Sequence, residues 1–256
     1  AIGCEYIVVP YVTPERHPDG ELFAQMIEEI KTIGQKAKDA GLVLLYHNHD
    51  FEFKLTADGK IGLDALYEAV PADLLQTELD LCWVKYAGQC PVEYVKKYAD
   101  RAPVVHFKDY YAAGEQTEDP YALIGLNEGE EKKSAAFEFR PLGCGVQDVP
   151  AIIKAAVKAE SKWLIVEQDQ PSLGKSPMEC VAMSMEYIKQ LKQTGCCEGG
   201  DGCGDGCGHD CGDCGDCGDG DGHARRPDYR RRVRPDQLPA VLRHLRVQRP
   251  RRCPGQ

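Results

Sequence analysis

The residues best suited to chemistry fall in four short clusters: "YHNHDFE" at 46–52, "ELD" at 78–80, "HFKD" at 106–109 and "EQD" at 167–169. Each places imidazoles, carboxylates or an amine at the end of an apolar run. Imidazole and carboxylate together are a donor set for divalent cations such as Mn²⁺, Co²⁺, Mg²⁺ or Zn²⁺. A cation beside carboxylates and a lysine is equipment for polarising a carbonyl and moving the proton next to it. Side chains two apart on a strand share a face. That pairs His47 with His49, Glu78 with Asp80, His106 with Lys108, and Glu167 with Asp169, and predicts that one member of each pair faces a common centre. The expected ligand set is His47 or His49 with Asp80, His106 and Glu167. Taken singly, a strand-end histidine is more often structural, and a strand-end aspartate is more often a helix cap or turn former, the plain reading for Asp109 and Asp169. The coincidence of four successive clusters is what favours a metal site.

These clusters need strands to carry them. Residues 4–9, 42–47, 74–81, 102–109 and 163–169 read as short apolar strands. Helices are predicted between and after them. In "ELFAQMIEEIKTIGQKAKDAG", Leu22, Met26, Ile30, Ile33 and Ala37 recur at helical spacing and Gly41 is placed to end the element. "GLDALYEAV" carries Leu63, Leu66, Tyr67 and Val70 on one side. "PVEYVKKYADR" begins with proline, "DVPAIIKAAVKA" has Asp148 as its cap, and "SPMECVAMSMEYIKQL" is the last. A long polar loop is expected from Tyr110 to about Val146. Five β/α alternations predict a parallel sheet covered by helices, with functional groups at the carboxyl ends of the strands. The first strand lacks the glycine-rich phosphate turn of a nucleotide fold. The G-x-G of "LGCG", 142–145, follows a loop and is a weak phosphate signal.

The chain has 256 residues and a formal net charge of −10, which argues against nucleic acid as a partner. No apolar run approaches the roughly 20 residues of a membrane span. Composition changes abruptly near residues 194–197. The first 195 residues hold 17 Lys, 3 Arg and 5 Cys, and the last 61 hold no Lys, 11 Arg and 8 Cys. The first five cysteines are scattered, the pattern of reduced thiols in a cytoplasmic protein. The chain therefore reads as a domain over 1–192 and a tail over 193–256, Gly/Asp/Cys-rich and then Arg-rich. Such composition predicts disorder. Cys211, Cys214 and Cys217, with His209, make overlapping C-x-x-C units that suit a soft metal, so a metal-binding role for the tail stands as an alternative to enzymatic function.

"YHNHDFEF", "ELDLCWVKYAGQCPVEYVKKYADR", "VVHFKDY" and "WLIVEQDQ", in this order, resemble the sugar phosphate isomerase/epimerase family, whose members have a xylose isomerase-like (β/α)8 TIM barrel. The resemblance covers roughly residues 1–192. It implies one divalent metal at the carboxyl end of the barrel and a small sugar or polyol substrate. The reaction would be isomerisation or epimerisation through an enediolate, with dehydration of keto-sugars or inositols as the alternative. On this resemblance Asp80, His106 and Glu167 are metal ligands, and His47 or His49 stands where many relatives have glutamate. Glu52, Glu167 and Lys108 are catalytic, and Trp83, Lys108 and Glu78 contact substrate. "AIGCEYIVVP" resembles the family's fourth strand. The expected fold is thus an incomplete barrel of about five C-terminal β/α units, with an open interior that favours self-association into a homo-oligomer.

Overall fold

The computed structural model describes residues 3–112 and 137–193. Five parallel strands form one curled sheet in the order β1-β2-β3-β4-β7: β1 Tyr6–Val9, β2 Val43–His47, β3 Gln76–Asp80, β4 Val104–Phe107 and β7 Trp163–Val166. Helices α1 (Phe23–Asp39), α2 (Gly62–Ala69), α4 (Pro91–Lys97), α5 (Val149–Lys158) and α6 (Pro177–Gln193) supply the layer that the alternation predicts. The tail and most of the expected polar loop lie outside the described residues. No helix among the described residues is long and apolar enough to cross a membrane.

The sheet has two chemically distinct faces because strand side chains alternate. Leu44, Tyr46, Leu79, Val105 and Phe107 are buried in the main core with Met26, Ile30, Leu63, Leu66, Val95, Ile152 and Ile153 from the helices, and Leu164 and Val166 pack against it. Each fully buried Leu or Ile contributes about 1.5–3 kcal/mol. The residues of opposite parity are His47, Glu78, Asp80 and His106, with Lys108, Glu167 and Asp169 continuing the same alternation. The parity that builds the core therefore puts these seven groups on the other face, while Asp109 keeps the parity of Val105 and Phe107.

Three local differences from the sequence reading have physical causes. Ile33 is 42% exposed and Gly34 takes its place in the buried stripe. A Cβ at Gly34 would lie 2.3 Å from the Leu74 carbonyl oxygen, so this contact needs the missing side chain. Leu81, which reads as the last residue of a strand, instead begins α3 (Leu81–Tyr86), which Asp80 caps by accepting from the backbone N–H groups of Cys82 and Trp83. The segment expected as loop contains a hairpin, β5 (Asp109–Ala112) with β6 (Phe137–Arg140). In β6 the buried Phe137 and Phe139 alternate with Glu138 and Arg140. They join Cys82, Trp83, Tyr86 and Tyr110 in a separate aromatic cluster.

Candidate metal centre

Side-chain ligand atoms of His47, Asp80 and His106 lie within 4.8 Å of one another. β2, β3 and β4 deliver them in parallel register: His47 is paired with Glu78, and Asp80 with His106. Both members of three of the four predicted pairs face this centre, not one. His106 is held between two carboxylates, with Nδ1 2.6 Å from Glu167 Oε2 and Nε2 2.7 Å from Glu78 Oε1. His47 Nε2 lies 3.8 Å from Asp80 Oδ2, and its Nδ1 lies 3.8 Å from Glu78 Oε2. The Lys108 ammonium sits 3.2 Å from Asp80 Oδ2, 3.2 Å from Glu167 Oε2 and 3.0 Å from Asp169 Oδ2. Asp169, which reads as a turn former, is thus part of the ion-pair network.

Burial and pairing set the charges. Burial works against charging His106, but the hydrogen bonds to Glu167 and Glu78 outweigh it and lift its pKa to about 10. Burial likewise opposes charge on Lys108, and Asp80, Glu167 and Asp169 hold its pKa well above the usual lysine value. Glu167 is held far below the usual carboxylate range, because His106 and Lys108 outweigh its burial. Burial raises Asp80 and, together with the nearby His106 and His49, pushes His47 well below the ordinary histidine value. A ligating His106 must give up its proton, so beside a bound cation the four carboxylates of Glu78, Asp80, Glu167 and Asp169 would face a single protein cation, Lys108. Asp80 Oδ2 is fully buried and completes no well-aligned hydrogen bond. That excess of carboxylates, a buried carboxylate oxygen whose near neighbours are the Lys108 ammonium and His47, and a mixed N/O donor set fit a divalent cation.

The other predicted residues lie around this centre. His49 is drawn into a ring stack: it lies parallel to Phe51 at 5.2 Å, and Phe51 lies parallel to His17 at 3.8 Å. Burial depresses its pKa to about 4. Glu52 is 3% exposed, accepting from the Tyr46 hydroxyl at 2.9 Å and from the His49 backbone N–H at 2.7 Å. Trp83 is fully buried behind Lys108, its ring centroid 5.8 Å from the ammonium.

Two further residues hold the clusters in place. The Asn48 amide accepts from the Asp80 N–H at 3.0 Å and donates to the Asp80 carbonyl at 3.1 Å, extending the β2–β3 ladder by one side chain. Asp109 accepts from the backbone N–H groups of Tyr110, Gly143, Gly145 and Gln147. A Cβ at Gly145 would lie 2.2 Å from Asp109 Oδ1. The "LGCG" turn therefore wraps a carboxylate of its own chain, which fills the role of the phosphate that its glycines weakly suggest.

Glu52 sets a pH dependence. Burial raises its pKa from 4.5 to about 8, despite hydrogen bonds from His49 and Tyr46 that lower it. Between those values the folded chain retains a proton that the unfolded chain has released, so this group's contribution to stability is lost as pH rises through the window. Urea unfolding of the Glu52→Gln variant should therefore lose less stability than the parent between pH 5 and 8. Identical slopes would mean that Glu52 is ionised in the fold.

Residues 1–191 match the xylose isomerase-like TIM barrel family, and the chain belongs to it. Among curated relatives it is 27% identical to the inosose dehydratase of Clostridium beijerinckii over 169 residues, 64% of this chain and 53% of that protein. The chain thus spans about half the length of such relatives. Among solved structures it resembles a sugar phosphate isomerase/epimerase from Parabacteroides distasonis, with a TM-score of 0.53 and 22% identity over 73% of this chain and 58% of the other. It also resembles a xylose isomerase-like TIM barrel protein from Mycobacterium smegmatis in complex with magnesium, with a TM-score of 0.50 and 19% identity over 75% and 62%. At these identities the solved structures support the fold, a five-stranded part of which is the sheet above.

Proposed function

We propose that the chain catalyses divalent-cation-dependent proton transfer next to the carbonyl of a polyhydroxylated keto substrate, acting as a sugar or sugar phosphate isomerase or epimerase. The observation that carries this reading is the convergence of the His47, Asp80 and His106 donor atoms in a carboxylate-rich centre, with Glu167 alongside. Those four residues would hold the cation, which would supply Lewis acidity at a substrate carbonyl.

Glu167 has the most accessible carboxylate of the cluster, with a side chain 34% exposed against 14% for Glu78, 21% for Asp169 and none for Asp80. It is the group a substrate reaches first, and it takes the proton. The C–H electron pair becomes the C=C bond of an enediolate, and the carbonyl π pair moves onto oxygen. The Lys108 ammonium, fixed beside Glu167, stabilises the developing oxyanion. Glu52 holds the backbone at His49 and thereby the end of β2. Protonation of the same carbon from the opposite face by a water molecule gives the epimer; return of the proton by Glu167 to the former carbonyl carbon, with the neighbouring hydroxyl passing its proton to the enediolate oxygen and becoming the new carbonyl, gives the isomer.

A second reading rests on the names of the curated relatives. The enediolate collapses to a carbonyl, its electrons form a C=C bond toward the β-carbon, and the β-hydroxyl leaves with a proton as water. The product is an unsaturated ketone, and the substrate a keto-cyclitol such as an inosose.

The chain incubated in D₂O with Mn²⁺, Co²⁺ or Mg²⁺ and a panel of ketoses and an inosose tests both. Deuterium at the carbon next to the carbonyl is the expected result for the shared proton step. Ultraviolet absorption from a conjugated ketone separates dehydration from isomerisation. No exchange with any substrate and cation would remove the proposal.

A further inference from the structure

Glu78 occupies an unusual place beside the two histidines. One of its oxygens is 2.7 Å from His106 Nε2 and the other is 3.8 Å from His47 Nδ1. The opposite ring nitrogens point the other way: His106 Nδ1 meets Glu167 Oε2 at 2.6 Å and His47 Nε2 meets Asp80 Oδ2 at 3.8 Å. Asp80 Oδ2 and Glu167 Oε2 are themselves drawn together, since Lys108 Nζ lies 3.2 Å from each. The ring nitrogens thus divide into an inner pair, turned toward the Asp80 and Glu167 oxygens, and an outer pair, both turned toward Glu78.

We infer that Glu78 is a shared positioning carboxylate that fixes opposite tautomers on the two histidines. It accepts the Nε2–H of His106 at 2.7 Å and, from 3.8 Å, favours by electrostatic attraction the tautomer of His47 with its proton on Nδ1, leaving the lone pairs of His106 Nδ1 and His47 Nε2 for a cation. This rests on the cation reading above and assigns Glu78 a task different from contacting substrate. A neutral imidazole carries one N–H and one lone pair, and the partner of the N–H decides which nitrogen is which. Carboxylates behind ligating histidines fix ring orientation and raise ligand basicity, and their loss typically weakens metal binding by about 10–100-fold. Here one carboxylate serves two rings. The register explains how: His47 and Glu78 are direct partners across β2 and β3, and Asp80, two residues on from Glu78, is the partner of His106. Glu78 and Asp80 share a face, so the sheet places one carboxylate at the inner nitrogens and the other at the outer ones.

The test is Mn²⁺ affinity by calorimetry for the parent, Glu78→Leu and Glu78→Gln, each with a thermal melt in EDTA. The expected result is a loss of about 10–100-fold for Glu78→Leu and a smaller loss for Glu78→Gln, whose carbonyl can still accept one N–H. On the Zn²⁺-loaded parent, ¹⁵N spectra of the histidine side chains should show His47 protonated at Nδ1 and His106 at Nε2. If Glu78→Leu melts below the parent in EDTA, these spectra of the parent decide the matter without it. Unchanged Mn²⁺ affinity in Glu78→Leu, or the reverse tautomers in the spectra, would overturn the inference and leave the cation reading standing. Failure of the parent itself to bind Mn²⁺ would remove the cation reading, and this inference with it.

Discussion

Asp80→Asn is expected to abolish tight divalent-cation binding while leaving the fold in place. The asparagine keeps Oδ1, so it still caps α3 by accepting from the N–H groups of Cys82 and Trp83. What it removes is charge at Oδ2, the buried oxygen 3.2 Å from Lys108 Nζ and 3.8 Å from His47 Nε2. The centre then carries one negative charge fewer and one ligand oxygen fewer. A loss on the order of a thousandfold in kcat/KM, about 4 kcal/mol of transition-state stabilisation, should accompany the loss of Mn²⁺ binding. Asp80→Ala should lose the cap as well and unfold about 1 kcal/mol earlier. An Asp80→Asn protein that binds Mn²⁺ like the parent would show that this oxygen is not a ligand.

Lys108→Met should be the most damaging change to stability. Its ammonium is almost fully buried and shared by Asp80, Glu167 and Asp169. Methionine fills similar space but leaves three carboxylates without their common cation. Breaking a buried ion pair from one side costs about 3–5 kcal/mol, a fall of roughly 10 °C in melting temperature for a domain of this size. Turnover should fall by roughly 100–1000-fold through loss of the oxyanion partner. The Glu167 pKa should rise, since a positive neighbour is gone. Added Mn²⁺ should restore more melting temperature in this variant than in the parent, because the carboxylates have lost their own cation. Equal melting of variant and parent in EDTA would mean that Lys108 does not compensate these charges.

The parallel strands and their covering helices were legible because periodicity records burial directly. Leu63, Leu66, Tyr67 and Val70 repeat at helical spacing and are all buried, and Gly41, with φ +73°, follows the end of α1 as its position suggests. The clustering of Asp80, His106 and Glu167 with one of His47 and His49 could be read from their common position at strand ends, but not which of the two histidines. The hairpin was hidden because β6 is only four residues long and far in sequence from β5. Ile33 and Gly34 changed places because hydrophobicity says nothing about how closely a backbone must approach. Asn48 and Gln147 act through backbone groups of distant segments, as when the Gln147 amide donates to the Leu81 carbonyl, and a single sequence holds no trace of such pairs. Glu78 was visible as a candidate, but which nitrogen it faces is a matter of register, known only once the strands are aligned.

The parallel strands lie side by side in the order in which they occur along the chain. Each new strand can therefore add to an edge already present, and the centre assembles in stages. The Glu78–His106 contact closes over 28 residues and the His106–Glu167 contact over 61. Doubling a loop adds only about 0.6 kcal/mol of closure entropy, so order of appearance matters more than loop length. During synthesis, at roughly 5–20 residues per second, His106 meets Glu78 when β4 docks, several seconds before β7 brings Glu167. The imidazole thus has its outer partner before its inner one, and the nitrogen destined for a ligand is the last to be covered.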